Sequence, residues 1–159
     1  MPRINKFKLG VSIVLPLFAG LIGSFFTAPA IDSWYQYLIK PSFSPPNWIF
    51  GPVWTLLYIL MGIAFYLVWQ SGFENKKKKI AILVFAVQLV LNSLWSILFF
   101  GLENPFLALN EIICLWIFIL ITLVIFWKIK KSAGWLLLPY LVWVSFAAVL
   151  NFSIWQLNY

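Results

Sequence analysis

The sequence has no histidine, one cysteine and only four acidic residues among its 159 positions. Histidine is the commonest metal ligand and the commonest proton-transfer group near neutral pH, so we expect no metal site and no cofactor. No pair of acidic residues is predicted to lie together in the interior, which disfavours a hydrolase. Cys114, the single cysteine, is predicted to be buried in a helix and has no disulfide partner within the chain.

Charge is also scarce, at 9% of the residues, while 64% are hydrophobic. A soluble domain carries about a quarter charged residues, whereas a helix of about 20 apolar residues crosses a bilayer. Uncharged or nearly uncharged runs of that length occur five times. They predict an all-α membrane protein, a bundle of five transmembrane helices that forms a single domain over residues 1–159. The predicted helices cover about residues 9–28, 48–70, 80–102, 106–127 and 134–157.

The first apolar run also has the basic start of a signal peptide. Its apolar stretch is longer than a usual signal core, and the segment Ala28–Ala30 is a poor cleavage site because Pro29 lies in its middle. We therefore expect this run to be retained as the first helix of the bundle.

Basic residues cluster at the predicted helix ends. Ten of the eleven basic residues either precede helix one or lie in the connections after helices two and four. In a bundle of five helices these three places are on the same side of the membrane. Basic segments stay on the cytoplasmic side, so we expect a cytoplasmic N-terminus and an external C-terminus. The net charge of +7 then reflects topology and contacts with anionic lipid, with no nucleic-acid partner. The clustered residues are Arg3, Lys6, Lys8, Lys76, Lys77, Lys78, Lys79, Lys128, Lys130 and Lys131, and only Lys40 lies opposite.

The longest predicted non-helical stretch runs from Pro29 to Asn47 and contains four prolines. Proline prevents a regular helix and stiffens the chain, so this segment is predicted to form an ordered lid over one end of the bundle. The alternative is an interfacial loop whose aromatic rings lie at the level of the lipid headgroups. Asn47 is predicted to cap the second helix.

Small and polar residues mark faces that avoid lipid. Helix one carries two pairs of small residues four positions apart, Ala19/Gly23 and Gly20/Ser24. Such pairs let helices approach closely, either within the bundle or between two copies of the chain. Helix three carries polar residues four apart on one face, which bond to other helices or line a cavity because they cannot face lipid cheaply. These residues are Gln88, Asn92 and Ser96.

Most of the ten tryptophans lie near predicted helix ends, where tryptophan normally sits at the membrane interface. Trp54, Trp95 and Trp143 lie well inside spans instead. A buried indole N–H requires a hydrogen-bond partner, and the polar row on helix three is predicted to offer one. Aromatic walls with a few polar groups suit a flat apolar ligand, but the same residues could equally fill the core.

Three segments, taken in order along the chain, resemble the TspO/MBR family of translocator proteins, also known as peripheral-type benzodiazepine receptors. The resemblance implies a bundle of five helices, often a homodimer, with a pocket closed by the loop between helices one and two. The implied ligands are porphyrins such as protoporphyrin IX and haem, and benzodiazepine-type compounds. The segments are WYQYLIKPSFSPPNWIFGPVWTLLYILMG (34–62), QLVLNSLWSILFFG (88–101) and PYLVWVSFAAVLNFSIWQLN (139–158).

The resemblance also assigns ten residues to a ligand site. It implies a tryptophan-rich membrane receptor or binding protein for porphyrins, acting in tetrapyrrole transport or stress sensing. The alternative is a light-dependent porphyrin-degrading enzyme in which Trp54 and Trp143 react. The implied lid residues are Trp34, Tyr35, Pro45 and Trp48, and the implied wall residues are Trp54, Tyr58, Asn92, Trp95, Trp143 and Ala147.

Three features fit the family pattern less well or leave a role open. Glu111 lies too close to one end of helix four for the mid-membrane acid of a proton-coupled exporter, and its role stays open. Phe152 and Gln156 occupy the positions where the sterol motif of eukaryotic members has tyrosine and a basic residue. The absence of this motif argues against specific sterol binding, and it favours a bacterial inner membrane as the location. Ala81 and Ala86 lie five apart, so helix three has no clear small-residue seam for a homodimer.

Overall fold

Five long helices dominate the computed structural model, which describes residues 4–71 and 76–159. A short 3₁₀ helix, Tyr35–Tyr37, precedes the second long helix, and a π-helical turn, Ile97–Gly101, extends the third. All five are long and apolar enough to cross a membrane, which confirms the predicted all-α membrane fold. Arg3, one of the predicted cytoplasmic cations, lies outside the described residues. The long helices are α1 (Lys6–Ile31), α2 (Asn47–Gln70), α3 (Lys76–Ser96), α4 (Pro105–Ile129) and α5 (Lys131–Asn158).

Two boundaries around the proline-rich connection differ from those predicted. α1 continues through Pro29 to Ile31. A proline removes one backbone hydrogen bond and crowds the carbonyl four residues earlier, but so few helical residues follow Pro29 that a distortion there does not break the helix. α2 begins at Asn47 itself, with Pro46 in the capping position and no side-chain cap. The prediction that Asn47 caps this helix is therefore wrong. The φ and ψ of Pro46, −56° and 142°, are those of extended chain and separate the connection from the helix.

Cys114 lies on an exposed face of α4, so the prediction that it is buried is wrong. The reason is that α4 is apolar around most of its circumference, and a helix of that kind does not mark its inward face in the sequence. In a bilayer this thiol faces lipid.

The five helices form a closed ring in the order α1, α2, α5, α4, α3. α1 packs against α2 and α3, α2 packs against α5, and α4 packs against both α3 and α5. Because successive helices run in opposite directions, the N-terminal ends of α1, α3 and α5, each of which carries lysines, lie at one end of the bundle, which we call the lysine end. The other end, the cap end, carries the connection of residues 32–46, which we call the cap segment, together with the end of α5.

α1 and α2 approach each other closely at Gly62. A Cβ atom at this position would lie 2.6 Å from Ile13 Cα and 2.8 Å from the carbonyl oxygen of Ser12. Pro16 has no N–H to bind that carbonyl within α1, so the carbonyl is free to face the neighbouring helix. Only glycine fits here, because both obstructing atoms belong to the backbone of α1.

Two glycines of α1, Gly20 and Gly23, face neighbouring helices of the same chain. Gly20 packs directly against the ring of Tyr58 on α2. A Cβ atom on Gly23 would lie 2.9 Å from the hydroxyl oxygen of Ser96 on α3. These positions therefore serve packing within the bundle, and Gly20 and Gly23 are not free to form a seam with a second copy.

Candidate functional site

A cavity of about 550 Å³ lies between α1, α2, α3 and α5 in the cap-end part of the bundle. Its lining residues come from these four helices, from the π-helical turn and from the cap segment. Eight of the ten residues assigned from the sequence line it together, namely Tyr35, Trp48, Trp54, Tyr58, Asn92, Trp95, Trp143 and Ala147. None of its lining residues carries a charge.

Trp34 and Pro45 are the two assigned residues that do not line the cavity. The ring of Trp34 lies edge-to-face against Phe99, with 5.6 Å between the ring centroids. Phe99 itself lines the cavity, so Trp34 supports a wall from behind. Pro45 is half-buried within the cap segment.

Parallel aromatic rings make up much of the cavity wall. On α2 the rings of Trp54 and Tyr58 stack, with 5.7 Å between their centroids and 25° between their planes. Trp95 stacks on Phe99 at 5.2 Å and the same angle. Flat faces of this kind are complementary to a flat ring system, because stacked and offset aromatic contacts combine apolar burial with favourable quadrupole geometry.

A chain of hydrogen bonds crosses the middle of the bundle at Asn92. The Tyr58 hydroxyl donates to Asn92 Oδ1 at 2.7 Å, and Asn92 Nδ2 donates to the Tyr140 hydroxyl oxygen at 3.0 Å. α2, α3 and α5 are thereby joined through one buried amide. A buried amide whose partners are satisfied fixes the orientation of the side chains it contacts, so Tyr58 is held in place where it faces the cavity.

Trp95 finds its hydrogen-bond partner on another helix rather than in the polar row of its own helix, which corrects the sequence-based expectation. Its Nε1 donates to Asn151 Oδ1 on α5 at 3.0 Å, and Asn151 Nδ2 donates to the carbonyl oxygen of Pro105 at 2.8 Å. Asn151 is buried. It therefore joins α3, α4 and α5 and orients the Trp95 ring along the cavity wall.

Trp143 differs from Trp95 because its indole N–H is buried without a hydrogen-bond partner among the described residues. Its ring packs against Phe50 at a centroid distance of 5.9 Å, and both residues line the cavity. A buried donor left unpaired costs about 1–3 kcal/mol. This unpaired donor is therefore a local cost to the stability of the bundle beside the cavity.

α1 supplies a wall that the sequence did not reveal as part of a site. Gly20, Ser24 and Thr27 all line the cavity. The sequence marked Gly20 and Ser24 only as a pair of small residues for packing, and it did not mark Thr27. Phe99 and Phe100 were also missed. They are neighbours in sequence, and the wide π-helical turn that contains them brings both to the cavity.

The cavity opens sideways between the cap-end halves of α1 and α2. Leu21 and Ser24 on α1 line it and are exposed, and so are Gly51 and Thr55 on α2. These positions lie within membrane-spanning helices, so the medium outside the opening is lipid.

The cap segment is fastened to the end of α5 by Asn158. The Asn158 side-chain amide accepts a hydrogen bond from the Ile39 N–H and donates one to the Ile39 carbonyl oxygen, each at 2.9 Å. At the other end of the segment, Tyr35 is only 4% exposed and packs against Phe100 at a centroid distance of 5.6 Å. The cap segment therefore forms an ordered cover on the cap end of the bundle.

Replacing Asn158 with alanine is expected to loosen this cover. Two hydrogen bonds of about 1 kcal/mol each are lost, so the population of the open cap segment should rise about 10-fold or more. Hydrogen–deuterium exchange of peptides from residues 32–46 measures this directly. Asn110→Ala is the matched control, because among the described residues the Asn110 side chain bonds only to the Phe106 carbonyl of its own helix. Equal exchange of the cap segment in both variants would contradict the role of Asn158.

The fold and the cavity define a class of protein, a tryptophan-rich membrane protein that crosses the bilayer five times and encloses an aromatic site at one end. The chain matches the TspO/MBR family over residues 12–156 and belongs to that family. It is 51% identical over 155 residues to the tryptophan-rich protein TspO of Archaeoglobus fulgidus, covering 98% of this chain and 99% of that protein.

Two further relatives carry names that refer to a role. The chain is 38% identical over 128 residues to the tryptophan-rich sensory protein of Cereibacter sphaeroides, covering 80% of this chain and 78% of that protein. It is 35% identical over 145 residues to the translocator protein of Homo sapiens, covering 91% of this chain and 86% of that protein.

Proposed function

We propose that this protein binds porphyrins such as protoporphyrin IX and haem, and related flat apolar compounds, in the cavity between α1, α2, α3 and α5. The observation that carries the proposal is the uncharged cavity of about 550 Å³ with stacked rings on its walls. Cavities of about 300–1,000 Å³ with apolar walls and a few polar groups are typical of small-molecule sites. The relatives named as a sensory protein and a translocator support a role in sensing or moving such a ligand.

Titration of the purified protein with protoporphyrin IX in detergent tests this function. Trp54, Trp95 and Trp143 line the cavity, so a bound porphyrin should quench tryptophan fluorescence in a saturable manner. The heat-unfolded protein serves as the control for absorption of light by the free porphyrin. If the fluorescence of the native protein falls only linearly with porphyrin concentration, as that of the unfolded protein does, the proposal is wrong.

A second candidate function is the light-dependent degradation of bound porphyrin by dioxygen. It is favoured by one observation, namely that Trp54 and Trp143 both line the cavity, where their oxidisable indole rings would contact the porphyrin. The illuminated complex should then lose its porphyrin absorbance in air but not under nitrogen. Bleaching of the Trp54→Phe, Trp143→Phe double variant at the wild-type rate would show that these side chains take no part.

We further propose that the lysine end is cytoplasmic and that the protein resides in a bacterial inner membrane. The cations of the lysine end support the orientation, and the identity to a bacterial relative, the tryptophan-rich sensory protein of Cereibacter sphaeroides, supports the membrane. In a Cys114→Ser background, a cysteine introduced at Lys79 should react with an impermeant maleimide only from the cytoplasmic side. Labelling from outside intact cells would reverse the orientation.

Homodimer formation stays a prediction. Ala81 is fully buried inside the bundle while Ala86 is exposed, so these two alanines do not form one seam on the lipid-facing side of α3. Crosslinking in native membranes would decide whether the chain pairs at all.

A further inference from the structure

Glu111 is the one acid that is buried inside the bundle within residues 4–71 and 76–159. It lies in the second turn of α4, which begins at the cap end, and the residue is 7% exposed. Neither carboxyl oxygen has a hydrogen-bond partner among the described residues. An ionised carboxylate without a partner is among the most costly groups to bury in an apolar interior. This carboxyl therefore requires a bound proton or a hydrogen-bond donor within its reach.

The elements packed against α4 carry few groups that could interact with this carboxyl. α3 has no titratable residue after its four N-terminal lysines, and the π-helical turn has none. On α5 the titratable residue in mid-span is Tyr140, whose hydroxyl interacts electrostatically with the Glu111 carboxyl. Tyr140 is therefore the candidate donor. The other titratable residues of α2, α4 and α5 are Tyr58, Tyr66, Cys114, Lys128, Lys131 and Tyr159.

The hydroxyl hydrogen of Tyr140 is available for this contact. Tyr140 is 1% exposed, and its hydroxyl oxygen accepts a hydrogen bond from Asn92 Nδ2, but its O–H donates to no group within the part of the chain that the structure describes. A buried donor and a buried acceptor thus lie on adjacent helices. One hydrogen bond between Tyr140 and Glu111, direct or through a buried water, would satisfy both groups.

The hydrogen bonds that start at Tyr58 all point in one direction. Tyr58, on the cavity wall, donates to Asn92, and Asn92 donates to Tyr140, which leaves Tyr140 to donate to Glu111. Because the Tyr58 hydrogen is already used, its oxygen offers the cavity an acceptor. Hydrogen bonds in a chain polarise and strengthen one another. A donor that contacts the Tyr58 oxygen therefore strengthens each later bond and stabilises the Glu111 carboxylate.

We propose that Glu111 is a proton-binding site linked to the cavity through Tyr140, Asn92 and Tyr58, and that a flat ligand with a hydrogen-bond donor at Tyr58 displaces this proton. On release the O–H bond of the Glu111 carboxyl breaks, the proton passes to water at the cap end, and no electron is transferred. Glu111 does not line the cavity, so it is a positioning residue that acts through Tyr58. This inference rests on the proposed function, because a ligand of the same cavity drives the release.

Carbazole and N-methylcarbazole test the inference, because both are flat apolar ring systems and only carbazole has an N–H donor. Carbazole should bind the wild type about 5-fold more tightly, which is the effect of one hydrogen bond. In weakly buffered detergent solution, a pH indicator should record proton release on addition of carbazole and none with N-methylcarbazole. The infrared C=O band of the protonated carboxyl, identified by its loss in Glu111→Gln, should weaken when carbazole binds the wild type.

Matched variants locate the source of the proton. Glu111→Gln should bind carbazole without proton release, whereas Glu103→Gln, which replaces an exposed acid at the cap end, should release the proton as the wild type does. Tyr140→Phe keeps Glu111 but interrupts the chain, so carbazole should bind without proton release. Tyr66→Phe is the control for loss of a buried hydroxyl, because Tyr66 bonds to residues outside the chain, and it should behave as the wild type.

The outcomes distinguish failure of this inference from failure of the proposed function. If carbazole binds the wild type but releases no proton, or releases as much from Glu111→Gln, the inference is wrong while the binding function stands. The inference is also wrong if Tyr140→Phe releases the proton in full, or if protoporphyrin IX binds saturably and carbazole does not. If neither compound binds the wild type, the proposed function fails.

Discussion

Replacing Ala147 with phenylalanine is expected to lower the affinity for protoporphyrin IX on the order of 100-fold, which corresponds to about 2.7 kcal/mol of binding free energy. Ala147 lies on α5, is 7% exposed and lines the cavity. An added ring at this position would occupy space that a flat ligand needs. The bundle should tolerate the change better than binding does, because the ring enters an existing cavity rather than a filled core. The fluorescence titration described above measures the effect.

Val142→Phe is the matched control for this substitution. Val142 lies on the same helix but is 62% exposed on its lipid-facing side, so a phenylalanine there adds the same volume outside the bundle. It should bind protoporphyrin IX as the wild type does. Wild-type affinity of Ala147→Phe, with the variant folded, would mean that the ligand does not occupy this cavity.

Replacing Gly62 with alanine is expected to give the largest loss of stability from a single added methyl group. The new Cβ would meet Ile13 Cα at 2.6 Å and the Ser12 carbonyl oxygen at 2.8 Å. Both are backbone atoms, so no side-chain rotation relieves the overlap and α1 must move away from α2. Overpacking of this kind costs about 1–3 kcal/mol, which should lower the midpoint of thermal unfolding in detergent by several degrees.

Gly10→Ala provides the control, because a Cβ atom at position 10 of α1 would meet nothing within 4 Å. Alanine is favoured over glycine in a helix by up to about 1 kcal/mol, so this variant should be as stable as the wild type or more so. A Gly62→Ala protein as stable as Gly10→Ala would show that α1 and α2 are not in close contact in the membrane protein.

The five helices could be predicted from the sequence because lipid imposes a simple requirement, a run of about 20 apolar residues between charges. The cavity could be predicted only in part. On α2, α3 and α5 it is marked by large aromatic or polar residues in mid-span, such as Trp54, Asn92 and Trp143. On α1 it is bordered by small residues, and a small residue that touches a neighbouring helix looks the same in a sequence as one that leaves space beside it.

Hydrogen-bond partners were the least predictable feature, because they depend on which helices become neighbours. Trp95 pairs with Asn151, which lies 56 positions away in the sequence. Trp116 likewise donates to the Ser145 hydroxyl at 2.8 Å and fastens α4 to α5. Nothing in the local sequence around either indole identifies its partner, since the ring order of the helices is set by packing of the whole bundle.

The sideways opening between α1 and α2 has a consequence for how any affinity of this protein is to be understood. A ligand that reaches the cavity through this opening comes from the hydrocarbon phase, so its effective concentration is that in the bilayer. The apparent dissociation constant, expressed as an aqueous concentration, will therefore fall as the ligand's partition coefficient into the membrane rises. Expressed as a total concentration, it will rise with the volume of lipid or detergent present. Two compounds that fit the cavity equally well will be discriminated by their solubility in the membrane before either contacts Trp54 or Trp143.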